Sequence, residues 1–431
     1  MVQGHTLEIR PATRVTGALR VPGDKSLSHR YVILGGIARG TTIITNLAPG
    51  ADVASTIACF SAMGLDMTPM GSDGLHIVGR GWVGLRPPSA TMDCGNSGTT
   101  MRLLAGLLAG RKFQSTLTGD DSLRRRPMTR VIAPLEAMGA RIRSTDGRAP
   151  LTIEGGGLKA IGCRPTIPSA QVKGALMLAA LSATGETIIE ESIPTRDHSE
   201  RAFPSFGLLV KVEGHRISVP GGQSAFAAVD TLDVPGDPSS AAVWAAAASA
   251  IPGSNVLIDD VLLNPRRLGF VKALRAMGAD IGVLPRGDVA GEPVGSLSVR
   301  HTGHGDCSIA GRDVPDLIDE LPVLAARAAL GGSLDVRGAG ELRVKESDRI
   351  TALVTGLRAL GVDADERLDG FVVRGGRQPT GGVVDAAGDH RLVMAFAIVG
   401  LGASGPTCVQ GADVVSVSYP DFARDLAALT R

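Results

Sequence analysis

Two adjacent segments, Tyr31-Val-Ile-Leu-Gly-Gly-Ile-Ala38 and Gly40-Thr-Thr-Ile-Ile44, contain the pattern that decides the fold. The first is an apolar run typical of a buried helix, and the second is rich in β-branched residues, which favour strands. The same pair recurs along the chain. Its helix-like runs are Tyr31–Ala38, Met101–Ala109, Gly174–Ala183, Ala241–Ala250, Leu321–Leu330 and Leu392–Leu401, and the strand-like runs begin at Gly40, Phe113, Gly185, Gly253, Gly332 and Gly405.

A second helix ending in glycine is a third marker of the repeat. It reads Phe60-Ser-Ala-Met-Gly64, Leu135-Glu-Ala-Met-Gly139, Leu274-Arg-Ala-Met-Gly278 and Leu357-Arg-Ala-Leu-Gly361, with a degenerate copy near Phe206 and a truncated one at Phe422–Leu429. Glycine just beyond a helix end is a C-cap signal. The three markers keep a common period of roughly 70 residues. Chance recurrence in an Ala- and Gly-rich chain is the alternative, but three markers in register favour six β/α repeats.

Two similar Pro-Gly segments, Val21-Pro-Gly-Asp-Lys-Ser26 and Val234-Pro-Gly-Asp-Pro-Ser239, suggest where the chain passes between domains. Residues 23–235 would then hold repeats one to three. Residues 1–22 and 236–431 would form the other domain, with repeats four to six and the N-terminal strands. A hinge is expected near 20–23 and 234–238, where the two passages lie side by side.

Composition narrows the class of protein. The chain has 431 residues, 44 Lys and Arg against 43 Asp and Glu, and only 3% aromatic residues, so a nucleic-acid or membrane-surface partner is not expected. No apolar run reaches the roughly 20 residues of a membrane-spanning helix, and the N-terminus has no signal pattern. The five cysteines form no CxxC pair. We therefore expect an enzyme of the reducing cytoplasm without a disulfide framework or zinc site.

Cations stand where the first helix of several repeats begins. Capping explains the Ser, Asn and Asp residues there, but a cation opposes the helix dipole at this end. Several helix N-termini with added Lys and Arg predict a site for a multiply anionic substrate, rather than plain surface charge. The segments are Lys25-Ser-Leu-Ser-His-Arg30, Asn96-Ser-Gly-Thr-Thr-Met-Arg102, Ser169-Ala-Gln-Val-Lys173, Asp237-Pro-Ser-Ser240, Asp316-Leu-Ile-Asp-Glu320 and Gly388-Asp-His-Arg391.

Other charged segments are less specific. Two of the three residues Arg124–Arg126 are expected in a solvated loop. The segment Lys345-Glu-Ser-Asp-Arg349 is equally well a plain helix start with Ser347 or Asp348 as cap. His29, His198 and His390 lack metal-ligand spacing, so no metal site is predicted. The first Pro-Gly segment also lacks the spacing of a nucleotide-binding P-loop.

Taken together, these motifs resemble the 5-enolpyruvylshikimate-3-phosphate (EPSP) synthase family. They occur in the family's order and cover almost the whole chain. The matching segments are Pro22–Arg30, Asp93–Arg102, Arg126-Pro127, Ser169–Lys173, Ile318–Glu320, Leu342–Arg349 and Gly388–Arg391.

The resemblance implies an α/β enolpyruvyl transferase fold, an inside-out α/β barrel, with two domains of three repeats. It also implies that shikimate 3-phosphate and phosphoenolpyruvate bind between the domains, where closure expels water. The shikimate 5-hydroxyl adds to C2 of phosphoenolpyruvate, and phosphate then leaves in a step towards chorismate and the aromatic amino acids. No metal or organic cofactor takes part, and a monomer is expected.

The family's functional residues are carried over by position. Asp319 would accept the proton of the 5-hydroxyl, and Lys25 and Glu346 are candidate proton donors. Shikimate 3-phosphate would be held by Lys25, Ser26, Arg30, Ser169, Ala170, Gln171, Thr195, Arg196, Asp319 and Lys345. Phosphoenolpyruvate would be held by Lys25, Gly98, Arg126, Gln171, Arg349 and Arg391.

The sequence departs from the family pattern in a few places. Val417 stands where some members carry a Lys, Glu341 stands for an Asn, and Thr195 replaces a Ser. Gly98 would leave the phosphoenolpyruvate pocket unobstructed, so the chain is expected to be a glyphosate target. The alternative is the related UDP-N-acetylglucosamine enolpyruvyl transferase, which should carry Lys-Asn rather than Lys25-Ser26 and a reactive Cys near Arg124–Arg126. A binding module of similar architecture is a further alternative.

Overall fold

The computed structural model describes residues 2–3, 6–224 and 226–430. These fall into two compact units. Unit 1 consists of residues 1–22, 235–287 and 293–431, and unit 2 of residues 23–234 and 288–292. The sequence-based division places 288–292 with repeats four to six, whereas these five residues group with unit 2 because their contacts are made there.

Thirteen α-helices are formed by the described residues. In chain order they are α1 (Lys25–Ile37), α2 (Ala51–Ala62), α3 (Gly98–Ala109), α4 (Asp121–Arg125), α5 (Thr129–Ala137), α6 (Ala170–Ala180), α7 (His198–Ser205), α8 (Pro238–Ala250), α9 (Gly269–Ala276), α10 (Leu321–Ala329), α11 (Arg349–Ala359), α12 (His390–Leu401) and α13 (Phe422–Leu429). Short 3-10 helices lie at Gly81–Gly84, Gly311–Asp316, Gly340–Val344 and Ala412–Val417.

The strands alternate with these helices. They are β1 (Val2–Gln3), β2 (Thr6–Ile9), β3 (Thr16–Arg20), β4 (Arg39–Thr45), β5 (Asp66–Met70), β6 (Gly74–Arg80), β7 (Met92–Asp93), β8 (Gln114–Thr118), β9 (Arg141–Thr145), β10 (Arg148–Glu154), β11 (Gly162–Cys163), β12 (Glu186–Glu190), β13 (Lys211–Glu213), β14 (Arg216–Pro220), β15 (Thr231–Asp233), β16 (Asn255–Leu262), β17 (Ala279–Val289), β18 (Glu292–His301), β19 (Asp306–Ile309), β20 (Ser333–Val336), β21 (Asp363–Arg367), β22 (Gly370–Arg374), β23 (Gly382–Asp385) and β24 (Thr407–Gln410).

The strands form six sheets of four strands each, three in each unit. The orders in unit 2 are β15-β4-β6-β5, β7-β8-β10-β9 and β11-β12-β14-β13, and those in unit 1 are β17-β18-β16-β3, β19-β20-β22-β21 and β1-β2-β24-β23. Each sheet contains one parallel pair, such as β7 with β8, whose strands are joined through helix α3. The α/β fold class with six repeats is confirmed, although in the described residues every sheet is open and none closes into a barrel.

The first helix of each repeat is central to its unit. In unit 1, α8, α10 and α12 contact one another, and every residue of α8 is buried. In unit 2, α3 contacts both α1 and α6. A helix that is apolar on all sides must be covered on all sides, which explains the six apolar runs. The helix-like runs of the sequence are thus the core, and their N-terminal residues are left to carry the polar groups.

Glycine permits the closest helix approach in unit 2. A Cβ added to Gly106 of α3 would lie 2.0 Å from the carbonyl oxygen of Ala175 in α6. At Gly64, just after α2, φ is +86°, a conformation that glycine adopts without strain. The predicted C-cap glycine is therefore confirmed at this helix.

The two segments that connect the units are each held by backbone contacts. Within unit 1, the amide of Asp237 donates to the carbonyl of Pro22 across 2.8 Å. Within unit 2, Asn46 Nδ2 donates to the carbonyl of Val234 across 2.6 Å, and a Cβ on Gly23 would collide with the Asn46 carbonyl. The two Pro-Gly segments are therefore fixed by polar contacts on both sides of the unit boundary.

No described helix combines the length and apolar character needed to cross a membrane.

Candidate active site

In unit 2, the N-terminus of α1 presents Lys25. Asp24 caps the helix, with its Oδ1 accepting from the amide of Leu27 across 2.7 Å. Lys25 is the first helical residue, and its Nζ lies 3.0 Å from Oδ2 of Asp52 in the first turn of α2. The Lys25 side chain keeps 20% of its surface exposed. An ammonium group at a helix N-terminus is a suitable partner for an anion.

Arg30 lies one turn further along α1 and is buried. Its Nη1 donates to the carbonyl of Ser26 across 2.8 Å, and its Nε donates to Oγ of Ser199 in α7 across 2.9 Å. Burial lowers the pKa of Arg30, while the carboxylates of Glu200 and Asp24 oppose this. A guanidinium stays charged over the physiological range, so Arg30 is a buried cation in a fixed orientation.

The first turns of α3 and α6 share a side-chain network. Arg102 Nη1 donates to Oε1 of Gln171 across 2.5 Å, and Gln171 Nε2 donates to Oγ1 of Thr99 across 2.9 Å. Ser169 caps α6 through the amide of Val172, so that Ala170 begins the helix. The predicted residues Ser169, Ala170 and Gln171 are therefore all at one helix N-terminus.

Gly98 lies beside two guanidinium groups. A Cβ added there would be 2.8 Å from Arg102 Nη1 and 3.5 Å from Arg126 Nη1. Arg126 is buried, and its Nη2 donates to Oδ1 of Asn96 across 2.5 Å. Asn96, just before α3, and Gly98, its first residue, thus lie beside Arg126.

The segment before Arg126 corrects the expectation of a loop. Arg124 and Arg125 are in the short helix α4, because Asp120 caps it by accepting from the amide of Leu123 across 2.7 Å. Both side chains are exposed, as expected for two of the three arginines.

Lys173 has a role different from that of the other helix-start cations. Its buried Nζ lies 2.6 Å from Oε1 of Glu200 and 3.0 Å from Oε2 of Glu191. The hydroxyl of Thr195 donates to the other oxygen of Glu191 across 2.5 Å. Burial raises the pKa of Glu200, which Lys173 opposes. Lys173 therefore pairs with carboxylates of the protein itself. Through Glu191, it helps to hold the segment that carries Thr195 and the half-buried Arg196.

In unit 1, the Asp319 carboxylate is surrounded by three cations. Its Oδ1 lies 3.8 Å from Nε of Arg391 and 3.9 Å from both Lys345 Nζ and Arg349 Nη1. Arg391 Nη1 also donates to the Asp319 carbonyl across 2.9 Å. Four residues predicted from three separate motifs are thus brought together within unit 1.

Asp389 orients two of these cations. Its Oδ2 accepts from Nε of Arg349 across 2.8 Å, and its Oδ1 caps α12 by accepting from the amide of Arg391 across 2.9 Å. Arg349 is 1% exposed, and its Nη2 also donates to Oε2 of Glu346 across 2.5 Å. Burial lowers the pKa of Arg349, but Asp389 and Glu346 together raise it above its ordinary value. Glu346 is therefore tied to a permanent cation.

Desolvation is the largest influence on Lys345 and lowers its pKa, while the Asp319 carboxylate opposes this. Arg349 lowers it further by like-charge repulsion. A lysine with a lowered pKa beside a carboxylate is a chemically suitable arrangement for binding anions and moving protons.

Asp348 caps α11 by accepting from the Thr351 amide across 3.2 Å, which decides between Ser347 and Asp348 as the cap of this helix.

Several supporting residues were not among the substrate contacts assigned from the sequence. Two of them had a sequence signal, since Arg102 was noted as a cation at a helix start and Asp389 as a cap residue in its motif. Asp52 and Glu191 had none, since only tertiary contacts bring them to Lys25 and Lys173. Among the residues that the structure describes, no group of His, Cys, Asp and Glu could hold a metal ion.

Comparison with known proteins places this arrangement in a family. The sequence model described as EPSP synthase (3-phosphoshikimate 1-carboxyvinyltransferase) matches residues 9–426. A 3-phosphoshikimate 1-carboxyvinyltransferase of Synechococcus sp. (strain JA-3-3Ab) is 46% identical over 429 residues, covering 98% of this chain and 96% of its own. The protein of the same name from Acidithiobacillus ferrooxidans is 48% identical over 415 residues, covering 96% and 95%.

Solved structures give the same result. The 2.37 Å structure of EPSP synthase from Acinetobacter baumannii is 39% identical, with a TM-score of 0.87 and coverage of 99% of this chain and 98% of the other. A second EPSP synthase structure from that organism also has a TM-score of 0.87, with 38% identity and 98% coverage of both chains.

Proposed function

The chain belongs to the EPSP synthase (3-phosphoshikimate 1-carboxyvinyltransferase) family, and we propose from this that it transfers the enolpyruvyl group of phosphoenolpyruvate to the 5-hydroxyl of shikimate 3-phosphate. The observation that carries the proposal is the Asp319 carboxylate among Lys345, Arg349 and Arg391. Both substrates are anions, so they require cations. The acceptor hydroxyl requires a base, and a carboxylate can supply it.

Shikimate 3-phosphate is assigned mainly to the helix N-termini of unit 2. Arg30 is the strongest of these contacts physically, because its buried guanidinium is already oriented by Ser26 and Ser199. Side chains held in this way lose little conformational freedom on binding. The assigned residues are Lys25, Ser26, Arg30, Ser169, Ala170, Gln171, Thr195 and Arg196, together with Asp319 and Lys345 of unit 1.

Phosphoenolpyruvate is assigned to a second set of residues. Arg126 and Arg349 are buried guanidinium groups held by Asn96 and Asp389 respectively, and the planar fork of a guanidinium suits a carboxylate or phosphate. Because Gly98 has no side chain, the guanidinium groups of Arg102 and Arg126 lie close to the backbone at the start of α3. The assigned residues are Lys25, Gly98, Arg126, Gln171, Arg349 and Arg391.

The reaction then proceeds by addition and elimination. Asp319 takes the proton of the shikimate 5-hydroxyl as the hydroxyl oxygen bonds to C2 of phosphoenolpyruvate. A proton added to the methylene carbon completes the tetrahedral adduct. The group that donated this proton then takes one back from the same carbon, and departure of phosphate gives the enolpyruvyl ether. Lys25 and Glu346 are the proposed donors of the protons to the methylene carbon and the leaving phosphate. The surrounding cations stabilise the negative charge that develops on the reacting groups.

The related UDP-N-acetylglucosamine enolpyruvyl transferase is not favoured as an alternative. The matched family and relatives carry the name of the shikimate enzyme. The chain also carries Lys25-Ser26 at the first motif and no Cys in α4 or at Arg126.

Phosphate release tests the proposal directly. The purified chain is incubated with phosphoenolpyruvate and shikimate 3-phosphate, and inorganic phosphate and the enolpyruvyl ether are measured. The matched reaction replaces shikimate 3-phosphate by UDP-N-acetylglucosamine. We expect phosphate only with the shikimate substrate. Release with the nucleotide sugar alone, or with neither acceptor, contradicts the proposal.

We also propose that the chain acts as a monomer, because one chain supplies all the assigned residues. Light scattering during size-exclusion chromatography should give the chain mass of 44.3 kDa. The formal net charge of +1 supports small-molecule substrates rather than a nucleic-acid partner.

A further inference from the structure

A tight turn between β17 and β18 belongs to unit 2. Ala290 and Gly291 have φ values of +49° and +81°, as in the two-residue hairpin turns that need left-handed residues. Oδ1 of Asp288 accepts from the amide of Gly291 across 2.9 Å and closes the turn. Left-handed backbone is unfavourable for Ala290, so the surroundings must hold this turn in place.

Glu292, the residue after the turn, is a buried carboxylate with no role in the reaction described above. It is 0% exposed, as is His198, whose Nδ1 lies 2.7 Å from Glu292 Oε1. Arg201 Nε lies 3.8 Å from Oε2, and Arg201 Nη1 donates to the carbonyl of Gly291 across 2.9 Å. Burying a carboxylate is costly, so it persists only where its partners compensate for lost hydration. His198 and Arg201 are both in α7.

The helix that Glu292 contacts also supports the predicted phosphate site. Ser199 of α7 orients Arg30, and Glu200 pairs with Lys173. Thr195 and Arg196, which are assigned to shikimate 3-phosphate, lead directly into α7. A shift of α7 would therefore move Arg30 and the segment before the helix together.

We propose that Glu292 is a positioning residue for shikimate 3-phosphate, acting through His198 and Arg201 of α7 on Arg30, Thr195 and Arg196. The inference rests on the proposed function, since it concerns the same substrate. It adds a residue from a distant hairpin that touches neither substrate and that no motif indicated.

Removing Glu292 should change substrate affinity in opposite directions depending on whether its charge or its hydrogen bond matters, which makes the proposal testable. Burial lowers the pKa of Arg30, and Glu292 is among the carboxylates whose charge opposes that lowering. Glu292 therefore acts electrostatically on a residue of the anion site. If only its charge mattered, removing it would tighten the binding of a phosphate dianion. If its hydrogen bond positions α7, removing it weakens binding.

The test compares Glu292→Ala with Glu292→Gln. The Gln amide oxygen can still accept from His198, whereas Ala has no acceptor. Calorimetric titration with shikimate 3-phosphate, without phosphoenolpyruvate, should show Kd raised roughly ten- to a hundredfold by Glu292→Ala and mostly restored by Glu292→Gln. The KM for phosphoenolpyruvate should change less than about threefold, a split that general destabilisation would not produce.

Matched controls separate the possible outcomes. Glu190→Ala removes an exposed glutamate of β12 and should leave Kd unchanged. Should Glu292→Ala not fold, Arg201→Met tests the same contact from the partly exposed side, with the exposed Arg141→Met as its control. Arg201→Met should raise the same Kd by at least about threefold. Unchanged or tighter binding in folded Glu292→Ala, or in Arg201→Met where Glu292→Ala does not fold, overturns the inference, as do equal effects of Ala and Gln at position 292. A wild-type chain that binds no shikimate 3-phosphate instead overturns the proposed function.

Discussion

Arg391 contacts Asp319 twice, with Nη1 donating to its backbone carbonyl across 2.9 Å and Nε lying 3.8 Å from its carboxylate. Arg391 therefore holds the backbone of Asp319 and places a positive charge near its carboxylate. Asp319→Asn keeps the shape but removes the base, and kcat should fall at least roughly a hundredfold, as for other general bases. Phosphate release under saturating substrates measures this.

Asp363→Asn is the control for that change. Asp363 is 63% exposed on β21, so its variant should keep wild-type turnover. Turnover of Asp319→Asn within twofold of wild type would remove Asp319 from proton transfer.

Lys25→Ala should lower kcat by at least about a hundredfold, because the variant loses both an anion contact and a candidate proton donor. Its partner Asp52 would remain and would repel the anionic substrates. Lys112→Ala, at an exposed position of the same unit, should leave the rate unchanged. Full activity of Lys25→Ala would refute its assignment.

The unit 1 cluster shows how much of the site the sequence could predict. Lys345 and Arg349 belong to one motif that resembles the family and Arg391 to another, and the fold brings all three to Asp319. What could not be predicted is which carboxylate pairs with which cation. Lys173 and Lys25 both stand in the first turn of a helix, but only Lys173 is enclosed by two glutamates, and those come from other elements.

Gly98→Ala should weaken phosphoenolpyruvate binding selectively. The new Cβ would stand 2.8 Å from Arg102 Nη1, so that guanidinium must move. We expect KM for phosphoenolpyruvate to rise at least about tenfold, with a smaller change for shikimate 3-phosphate. Gly162→Ala is the matched control, because nothing lies within 4 Å of its added Cβ. Equal changes in both KM values would indicate a general distortion instead.

Glyphosate should inhibit competitively with phosphoenolpyruvate. It is an anionic mimic of that substrate, and the guanidinium groups of Arg102 and Arg126 beside Gly98 suit it. Initial rates over a grid of both concentrations should give lines that meet at one Vmax. Inhibition independent of the phosphoenolpyruvate concentration, or none at millimolar inhibitor, contradicts the assignment.

Stability should depend on pH through His29. Burial lowers the pKa of His29 to about 3, from 6.5 in its ordinary state. Below pH 6.5 the unfolded chain binds a proton that the folded chain does not, so stability falls as pH falls towards 3. Between pH 7.5 and 5.0 this amounts to about 2 kcal/mol.

His29→Asn removes that dependence while offering an amide near the His29 Nδ1 position, which lies 2.7 Å from Thr56 Oγ1. Urea unfolding of unit 2 is followed by Trp82 fluorescence, in a Trp244→Phe background, since the chain has two tryptophans. The parent should lose about 2 kcal/mol more than the variant over this pH range. Equal losses would show that His29 is not the titrating group.

The architecture followed from the sequence because each repeat carries redundant local signals. The run Ala241–Ala250 becomes part of the fully buried α8, and Phe422–Leu429 becomes α13. The short helix α4 was missed, since a single Asp120 cap in five residues is a weak signal. The grouping of residues 288–292 with unit 2 depends on contacts of Glu292 with His198, which no local pattern reveals.

Sheet order also determines when parts of the chain can be completed during synthesis. The Val15 amide donates to Ser254 Oγ, 239 positions later, and β3 pairs with β16. A nascent chain therefore leaves the ribosome with β3 still lacking its partner strand, and at 5–20 residues per second β16 follows after about ten to fifty seconds. Except for 288–292, unit 2 has all its residues once β15 emerges. Unit 2 is therefore nearly complete at a stage of synthesis when unit 1 still lacks most of its strands.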